Sequence, residues 1–200
     1  LTLTDGKSVE EVIEEMLHDD NVNMFEGDSY RLPLVNKGLA LDGKWDEGIL
    51  STDDTVVLNE SAGVLQYAQT CFEGLKAYRT AEGGIRLFRP MENIKRLNRS
   101  AERMCLPTIP EEDFMQALNE IVKIDQAWIP TKPGTSLYIR PFIIATDPFL
   151  GVRPSNTYKF IIILSPVGAY YPEGLNPVKI WIEDEYVRAV RGGLGEAKAG

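Results

Sequence analysis

The sequence predicts an α+β fold, because helical and strand patterns are both present but do not alternate strictly along the chain. Two helical patterns lie one after the other between about 90 and 122, and two long strand patterns follow between 137 and 164. This grouping argues against a doubly wound parallel sheet. The chain has 44% hydrophobic and 26% charged residues, a composition typical of a globular chain of one or two domains.

The first predicted element is an amphipathic helix over residues 8–18. Ser8 and Glu11 form a capping box, because the Ser8 hydroxyl can accept a hydrogen bond from an early backbone N–H. Apolar residues follow at helical spacing and predict one buried face. Residues 19–50 are polar and interrupted by glycine and proline, so they predict a loop with one short strand.

Two further helices are predicted in the middle of the chain. Pro90 suits the first turn of one helix, whose apolar residues recur at spacings of three and four as far as Met104. A second capping box over residues 108–111 predicts the start of the next helix. The apolar stripe of that helix consists of Phe114, Leu118, Ile121 and Val122.

Strand patterns lie on both sides of these helices. Residues 55–58 are β-branched and predict a strand, whereas residues 65–72 predict a short helical segment. Residues 75–79 and 84–88 flank a glycine turn and predict a β-hairpin.

The longest strand patterns cover residues 137–145 and 158–164. Pro141 lies within the first of them and predicts an edge strand or a bulge, because proline cannot donate a ladder hydrogen bond. Residues 178–182 predict one more strand.

The chain is predicted to divide into two domains of unequal completeness. Residues 1–167 are expected to form a small first domain. Residues 168–177 include Pro172 and Gly174 and are typical of an interdomain linker. Residues 178–200 are then the beginning of a second domain.

Charge and composition exclude several classes of partner and site. A net charge of −9 argues against nucleic acid or an anionic membrane as partner. The cysteines Cys71 and Cys105 suggest no disulfide framework, so a reducing compartment such as the cytoplasm is expected. A single histidine, His18, argues against a multi-histidine metal site and against a Ser-His-Asp triad, and no metal is predicted.

The end of the chain is rich in glycine around one lysine. Gly192, Gly193 and Gly195 precede Lys198, and Gly200 follows it. Glycines let the backbone approach another molecule closely, and a neutral lysine amine is a nucleophile towards aldehydes. A flexible loop with a solvated lysine is the alternative from these residues alone. Neither glycine-rich phosphate-binding pattern fits the spacing.

Five motifs in order resemble one enzyme family, the branched-chain amino-acid aminotransferases of pyridoxal-phosphate fold type IV. The motifs lie at residues 72–79, 85–90, 136–141, 166–170 and 192–200. The resemblance runs from about Leu65 to the last residue, and residues 1–45 match poorly. The implied fold is a small sandwich-like N-terminal domain and a larger cofactor-binding domain.

The resemblance implies that Lys198 is the catalytic lysine and holds pyridoxal 5′-phosphate covalently. Arg89, in the Leu-Phe-Arg-Pro motif, is then the cofactor-phosphate arginine, although by itself it is more typical of a solvated or paired arginine. Arg188 matches an arginine near the cofactor, and an ion pair with Asp184 or Glu185 is the alternative.

The resemblance also implies a substrate pocket. Tyr138 and Arg140 are two residues apart on a predicted strand, so both side chains point to one face. A buried arginine needs an anionic partner, which is either a structural carboxylate or a ligand. In the family the matching Tyr-x-Arg lines the pocket. The residues expected to wall the apolar part are Tyr67, Phe72 and Tyr170.

Leu150 and Val152 match a family loop that reaches the neighbouring subunit's pocket, which implies a homodimer. The implied reaction exchanges the amino group between leucine, isoleucine or valine and 2-oxoglutarate, with glutamate as product. A D-amino-acid aminotransferase or an aminodeoxychorismate lyase on the same fold is the alternative, and two motifs argue against both. Since the family continues beyond its lysine, a non-catalytic fragment of 200 residues also stays open.

Overall fold

The computed structural model describes residues 7–18, 34–39, 43–51, 55–171 and 176–200. The helices are α1 (Val9–His18), α2 (Gly63–Tyr67), α3 (Pro90–Arg103) and α4 (Glu111–Ile124), and a short 3-10 turn covers Gln126–Trp128. The strands are β1 (Leu34–Leu39), β2 (Ile49–Ser51), β3 (Thr70–Phe72), β4 (Leu75–Arg79), β5 (Ile85–Leu87), β6 (Ser136–Ala145) and β7 (Tyr158–Val167). The α+β class is confirmed.

The strands form one antiparallel sheet in the order β2-β1-β7-β6-β4-β5, and β3 also pairs with β6. The two ten-residue strands β6 and β7 lie at its centre and pair without interruption from Ser136↔Val167 to Ala145↔Tyr158. Both are the long strands predicted from the sequence.

Pro141 lies in the central strand β6, so the prediction of an edge strand or a bulge is wrong. β3 and β4 pair with β6 in one continuous register, with Thr70 opposite Ile144 and Leu75 opposite Ile139. They are therefore two halves of one strand. The interruption lies at Glu73, whose N–H donates to the Pro141 carbonyl at 2.8 Å, while proline has no N–H to return.

The hydrophobic core lies between one face of the sheet and the helices. Alternate residues of β6 and β7 pack against the apolar faces of α3 and α4, and the rings of Phe114 and Phe160 lie 6.2 Å apart. Because side chains alternate along a strand, the residues between these core positions point to the opposite face. Tyr138 and Arg140 belong to this second face.

Local sequence signals account for the starts of two of the four described α-helices, α1 and α3. Ser8 Oγ accepts the Glu11 N–H at 3.1 Å, and the Glu11 carboxylate accepts the Ser8 N–H at 2.8 Å, so the first capping box is confirmed. Pro90 occupies the first turn of α3, as predicted. The second capping box, residues 108–111, is wrong, because Pro110 precedes α4 and no side chain caps it.

Two strand predictions are also wrong. Residues 55–58 and 178–182 form no strand, although the predicted hairpin does form, with Ala77 opposite Leu87. Val57, Trp181 and most of their neighbours are exposed, so neither segment pairs with the described sheet. A strand needs a partner for its backbone groups, and β-branched composition cannot supply one. The predicted helical segment 65–72 is part helix and part strand, since α2 ends at Tyr67 and β3 begins at Thr70.

Some predictions fall outside the described residues. These are the surroundings of the His18 side chain, residues 172–175 of the proposed linker, and residues 19–33 and 40–42 of the predicted loop. The described part of that loop contains two strands, β1 and the start of β2, where one short strand was predicted. The division at 167 and 178 stays a prediction. Among the described residues, no helix is long and apolar enough to cross a membrane.

One buried carboxylate lacks a complete set of donors. Asp125 follows α4 directly and is 5% exposed, and its Oδ2 has no hydrogen-bond partner within the described part of the chain. Burial raises the pKa of Asp125 from 3.8 to about 7. The folded protein therefore binds this proton more tightly than the unfolded chain does.

We expect the free energy of unfolding to fall as the pH rises from about 4 to 7. The stabilising contribution of protonated Asp125 is complete below 3.8, the pKa of this group in the unfolded chain. It is lost as the pH rises through about 7, the pKa of this group in the folded protein. Asparagine carries no charge at any of these pH values. The free energy of unfolding of the Asp125→Asn variant should therefore rise by on the order of 4 kcal/mol relative to that of wild type as the pH goes from 4 to 8. Urea unfolding of both proteins at several pH values measures the difference, and parallel pH dependences would contradict it.

Candidate functional site

The face of the sheet opposite the helices brings four predicted site residues together around Phe72. The Lys198 Nζ lies 4.6 Å from the centre of the Phe72 ring, and the Arg140 guanidinium carbon lies 4.5 Å from it. Arg140 donates from Nε and Nη2 to the Tyr138 hydroxyl, at 3.0 and 2.8 Å. Lys198, Phe72, Tyr138 and Arg140, called here the Phe72 cluster, therefore hold an amine and a guanidinium against one aromatic ring.

The strand register explains why Phe72 meets Arg140. Phe72 lies opposite Phe142 on β6, and Arg140 is two residues from Phe142, on the same face. A diagonal neighbour of this kind is within reach of long side chains. The pairing of β3 with β6 is long-range, so the sequence alone could not predict it.

The main chain of Lys198 runs beside β3. The Phe72 N–H donates to the Lys198 carbonyl at 3.0 Å, and Ala199 forms an antiparallel bridge with Cys71. A Cβ on Gly200 would lie 2.4 Å from Cγ2 of Thr70, so only glycine fits beside that strand. This local pairing places the lysine at Phe72.

The glycine-rich segment before Lys198 is compact. Gly192 has φ of +78°, a conformation that favours glycine, and a Cβ on Gly195 would lie 2.5 Å from the Cβ of Ala189. Arg103, in the last turn of α3, donates to the carbonyls of Gly192 and Gly193, each at 3.4 Å. The glycines therefore serve close packing and a turn.

Glu73 is a buried charged residue that the sequence analysis did not single out. Its side chain is 0% exposed and accepts hydrogen bonds from Arg96 Nη2 at 2.9 Å and from Asn93 Nδ2 at 2.8 Å. Burial alone would raise the pKa of Glu73, but the hydrogen bonds from Arg96 and Asn93 hold this pKa below its ordinary value. A carboxylate directly after the apolar pair Cys71 and Phe72, at the point where β3 ends, is the signal that could have found it.

Glu73 and Asn93 also hold the main chain of Gly74. The Gly74 N–H donates to the Glu73 carboxylate at 3.1 Å, and its carbonyl accepts from Asn93 Nδ2 at 3.2 Å. A Cβ on Gly74 would lie 2.5 Å from the Tyr138 hydroxyl. Gly74 therefore leaves the space that the Tyr138 side chain needs beside Arg140.

The two other predicted arginines, Arg89 and Arg188, are exposed. Arg89 precedes α3 with φ of +48°, and its exposed guanidinium lies 3.8 Å from the Glu92 carboxylate. Arg188 is exposed, and within the described residues it forms no ion pair with Asp184 or Glu185. In the described part of the chain neither arginine is hydrogen-bonded to Lys198, so their cofactor roles stay predictions.

The remaining predicted pocket residues are exposed. Tyr67 lies at the end of α2, and the Tyr170 ring packs edge-on against Tyr171 at 4.7 Å. Leu150 and Val152 lie on the loop between β6 and β7 and are 68% and 89% exposed.

Cysteine and metal chemistry find no support among the described residues. Cys71 and Cys105 are both free, and burial raises the pKa of the Cys71 thiol to about 12. No group of three or more His, Cys, Asp or Glu side chains in the described chain could hold a metal ion.

No family model matches the chain. The branched-chain-amino-acid aminotransferase 2 of Bacillus subtilis (strain 168) is 54% identical over 159 residues, which are 80% of this chain and 44% of that protein. A branched-chain-amino-acid aminotransferase of Mycolicibacterium smegmatis is 46% identical over 175 residues, 87% of this chain and 48% of that protein. The chain thus spans about half the length of the curated relatives it matches.

Solved structures of branched-chain amino acid aminotransferases are also similar to this chain. The Escherichia coli branched-chain amino acid aminotransferase has a TM-score of 0.51 and 26% identity, over 68% of this chain and 40% of that one. A second branched-chain amino acid aminotransferase, solved with pyridoxamine 5′-phosphate, has a TM-score of 0.53 and 26% identity, over 70% and 41%. The sheet, the ordered motifs and these similarities show that the chain belongs to the branched-chain amino-acid aminotransferase family, of fold type IV.

Proposed function

We propose that this chain is the lysine-bearing part of an enzyme that transfers the amino group between branched-chain L-amino acids (leucine, isoleucine or valine) and 2-oxoglutarate. The observation that carries the proposal is the convergence of the Lys198 amine and the Arg140 guanidinium on the Phe72 ring. The names of its relatives support the same reaction. The proposed enzyme is cytoplasmic.

The proposed cofactor is pyridoxal 5′-phosphate, and the residues of the Phe72 cluster fit it. A half-buried primary amine at Lys198 can bind an aldehyde covalently, and its main chain is fixed by β3. A relative in the solved structures carries N-(5′-phosphopyridoxyl)-L-glutamate, a compound of this cofactor class. When bound, the cofactor accepts the electron pair left at the substrate α-carbon.

Lys198 has two tasks in this proposal. Its Nζ holds the cofactor between reactions, and once substrate displaces it, the free Nζ takes the proton from the substrate α-carbon and later returns it. The same atom must therefore be mobile at the end of its side chain while the main chain stays in place. Hydrogen bonds to Phe72 at 3.0 Å and to Ser100 at 2.9 Å satisfy this requirement.

The substrate side chain is proposed to lie against Phe72 and Tyr138. An aromatic surface buries an alkyl group without directional demands, which suits leucine, isoleucine and valine. Glutamate has a second carboxylate, which is costly to bury without a cation. Arg140 is the residue of the Phe72 cluster that can bind it, because its guanidinium lies beside the same ring.

The other predicted residues complete the proposal from outside the Phe72 cluster. Tyr67 and Tyr170 are proposed as further aromatic walls, and Leu150 and Val152 as residues that enter the pocket of a second subunit in a homodimer. Their exposure is compatible with these contacts, because exposed apolar side chains on a loop can be covered by a partner. Arg188 is proposed to lie near the cofactor.

Absorbance of the purified complete protein with pyridoxal phosphate tests the cofactor assignment. A covalent lysine adduct absorbs in the visible near-violet, and adding leucine should change that band as the amino group is transferred. A protein that stays colourless with added cofactor, and releases no keto acid from leucine, would contradict the proposed function.

Arg89→Ala is expected to weaken cofactor binding more than it slows the reaction at saturating cofactor. Removal of a charge-assisted fork from a dianionic phosphate costs about 1.5–3 kcal/mol, roughly ten- to a hundred-fold in affinity. Alanine keeps the Cβ, so the backbone before α3 is little affected. Arg86→Ala, an exposed arginine on β5, is the matched control. Titration with pyridoxal phosphate measures both affinities, and an unchanged affinity in Arg89→Ala would assign Arg89 to the surface pair with Glu92.

A further inference from the structure

A serine on α3 contacts the main chain of the proposed catalytic lysine. Ser100 is 1% exposed, and its Oγ accepts the Lys198 N–H at 2.9 Å. Serine within a helix ordinarily points to solvent or bonds to a carbonyl of the preceding turn. Here the hydroxyl instead binds a residue that lies 98 positions later in the chain.

The Ser100 contact completes the anchoring of Lys198. The Lys198 N–H donates to Ser100 Oγ, and the Lys198 carbonyl accepts from the Phe72 N–H at 3.0 Å. Both main-chain polar groups are thus held, one by β3 and the other by α3. Since the backbone is fixed at both groups, the torsions of the lysine side chain are what remains free to move Nζ.

The helix α3 offers a second, longer contact to the same segment. Arg103 is three residues after Ser100, so both side chains lie on one face of the helix. Its guanidinium donates to the Gly192 and Gly193 carbonyls at 3.4 Å. This face of α3 therefore supports the glycine-rich segment at its beginning, through Arg103, and at Lys198, through Ser100.

We propose that Ser100 is a positioning residue for Lys198: its hydroxyl holds the lysine main chain so that Nζ returns to the same place beside Phe72 after each displacement. This inference rests on the proposed function, because Ser100 touches neither substrate nor cofactor and acts only through Lys198. The rate of a catalysed reaction falls steeply when a catalytic group is misplaced by even about 1 Å. The hydroxyl of Ser100 should therefore affect the rate of proton transfer rather than the binding of substrate.

The test compares wild type, Ser100→Ala and Ser100→Thr in the complete protein. Thr80→Ala is the matched control, because Thr80 Oγ1 also accepts a backbone N–H, that of Gly84, at 3.0 Å, but in the β4–β5 turn. Two quantities are measured for each protein. One is the hydrogen exchange of the Lys198 amide without substrate, and the other is kcat and KM for leucine.

In Ser100→Ala we expect the Lys198 amide to exchange roughly tenfold faster, because a single hydrogen bond is lost, and kcat to fall by about tenfold with KM nearly unchanged. Thr80→Ala should change neither quantity. In Ser100→Thr, kcat should correlate with the protection of the Lys198 amide from hydrogen exchange. If the threonine hydroxyl protects the amide, kcat should return towards the wild-type value. If it does not, kcat should stay as low as in Ser100→Ala.

Two results would overturn the inference. One is a Ser100→Ala protein in which the Lys198 amide exchanges faster than in wild type but kcat is normal, which would make the hydrogen bond purely structural. The other is a Ser100→Thr protein with a protected amide and a low kcat. A wild-type protein that transfers no amino group would instead defeat the proposed function, and the exchange measurement would still show whether Ser100 anchors Lys198.

Discussion

Lys198→Ala is expected to abolish transamination in the complete protein and to remove the covalent cofactor. The variant lacks the amine that we propose to bind the cofactor and to move the substrate proton. Loss of a catalytic proton-transfer group alone costs about 10²–10⁴-fold, so the combined loss should leave no measurable turnover in an ordinary assay. Single-turnover kinetics with leucine and the absorbance spectrum of the variant measure the two losses separately.

Borohydride reduction identifies the lysine directly. In wild type it should fix the cofactor onto one peptide, the peptide that contains Lys198. Lys95→Ala is the control variant, because Lys95 is an exposed lysine on α3 and its loss should leave the labelling unchanged. Label on Lys95, or on Lys76 of β4, would show that another amine holds the cofactor.

Arg140→Met is expected to impair the glutamate half-reaction far more than the leucine half-reaction. The Phe72 ring can receive either side chain, but a buried carboxylate without a cation is unfavourable, and the guanidinium of Arg140 lies 4.5 Å from this ring. The difference between the two substrates should be on the order of 2–4 kcal/mol in transition-state stabilisation, the range for losing one partner of a buried charged pair.

Single-turnover rates with leucine and with glutamate decide this prediction. Arg86→Met is the matched control, since it makes the same change at an exposed strand position of β5. Equal losses with both amino acids would place Arg140 at the carboxylate that the two substrates share, or in the scaffold of Tyr138. An unaffected variant would remove Arg140 from the site.

Elements with a strong local signal were predicted with their approximate bounds. The first capping box, the apolar stripes of α3 and α4 and the glycine turn of the hairpin all depend on residues a few positions apart. The strong strand patterns also predicted β6 and β7. Tyr138 and Arg140 were placed on one face by the same reasoning, and the hydrogen bonds between them confirm it.

Most of the failed predictions needed a distant partner, whereas the second capping box failed although its signal is local. Residues 55–58 and 178–182 have the composition of strands, but no described strand pairs with them. Pro141 predicted that β6 is an edge strand or contains a bulge. In the structure β6 is central, and the strand beside Pro141 is interrupted at Glu73. In each of these strand predictions the composition was read correctly, and the hydrogen-bond partner of the backbone decided the outcome.

The sequence by itself determined the α+β class, the family motifs and the identity of the candidate lysine and arginines. The tertiary structure alone decided that Lys198 lies at the Phe72 ring, that Glu73 is buried against Arg96, and that Ser100 holds the lysine main chain. The physical reason is distance along the chain. These contacts join residues 23 to 126 positions apart, and such pairs become neighbours only when the strand register and helix packing are established.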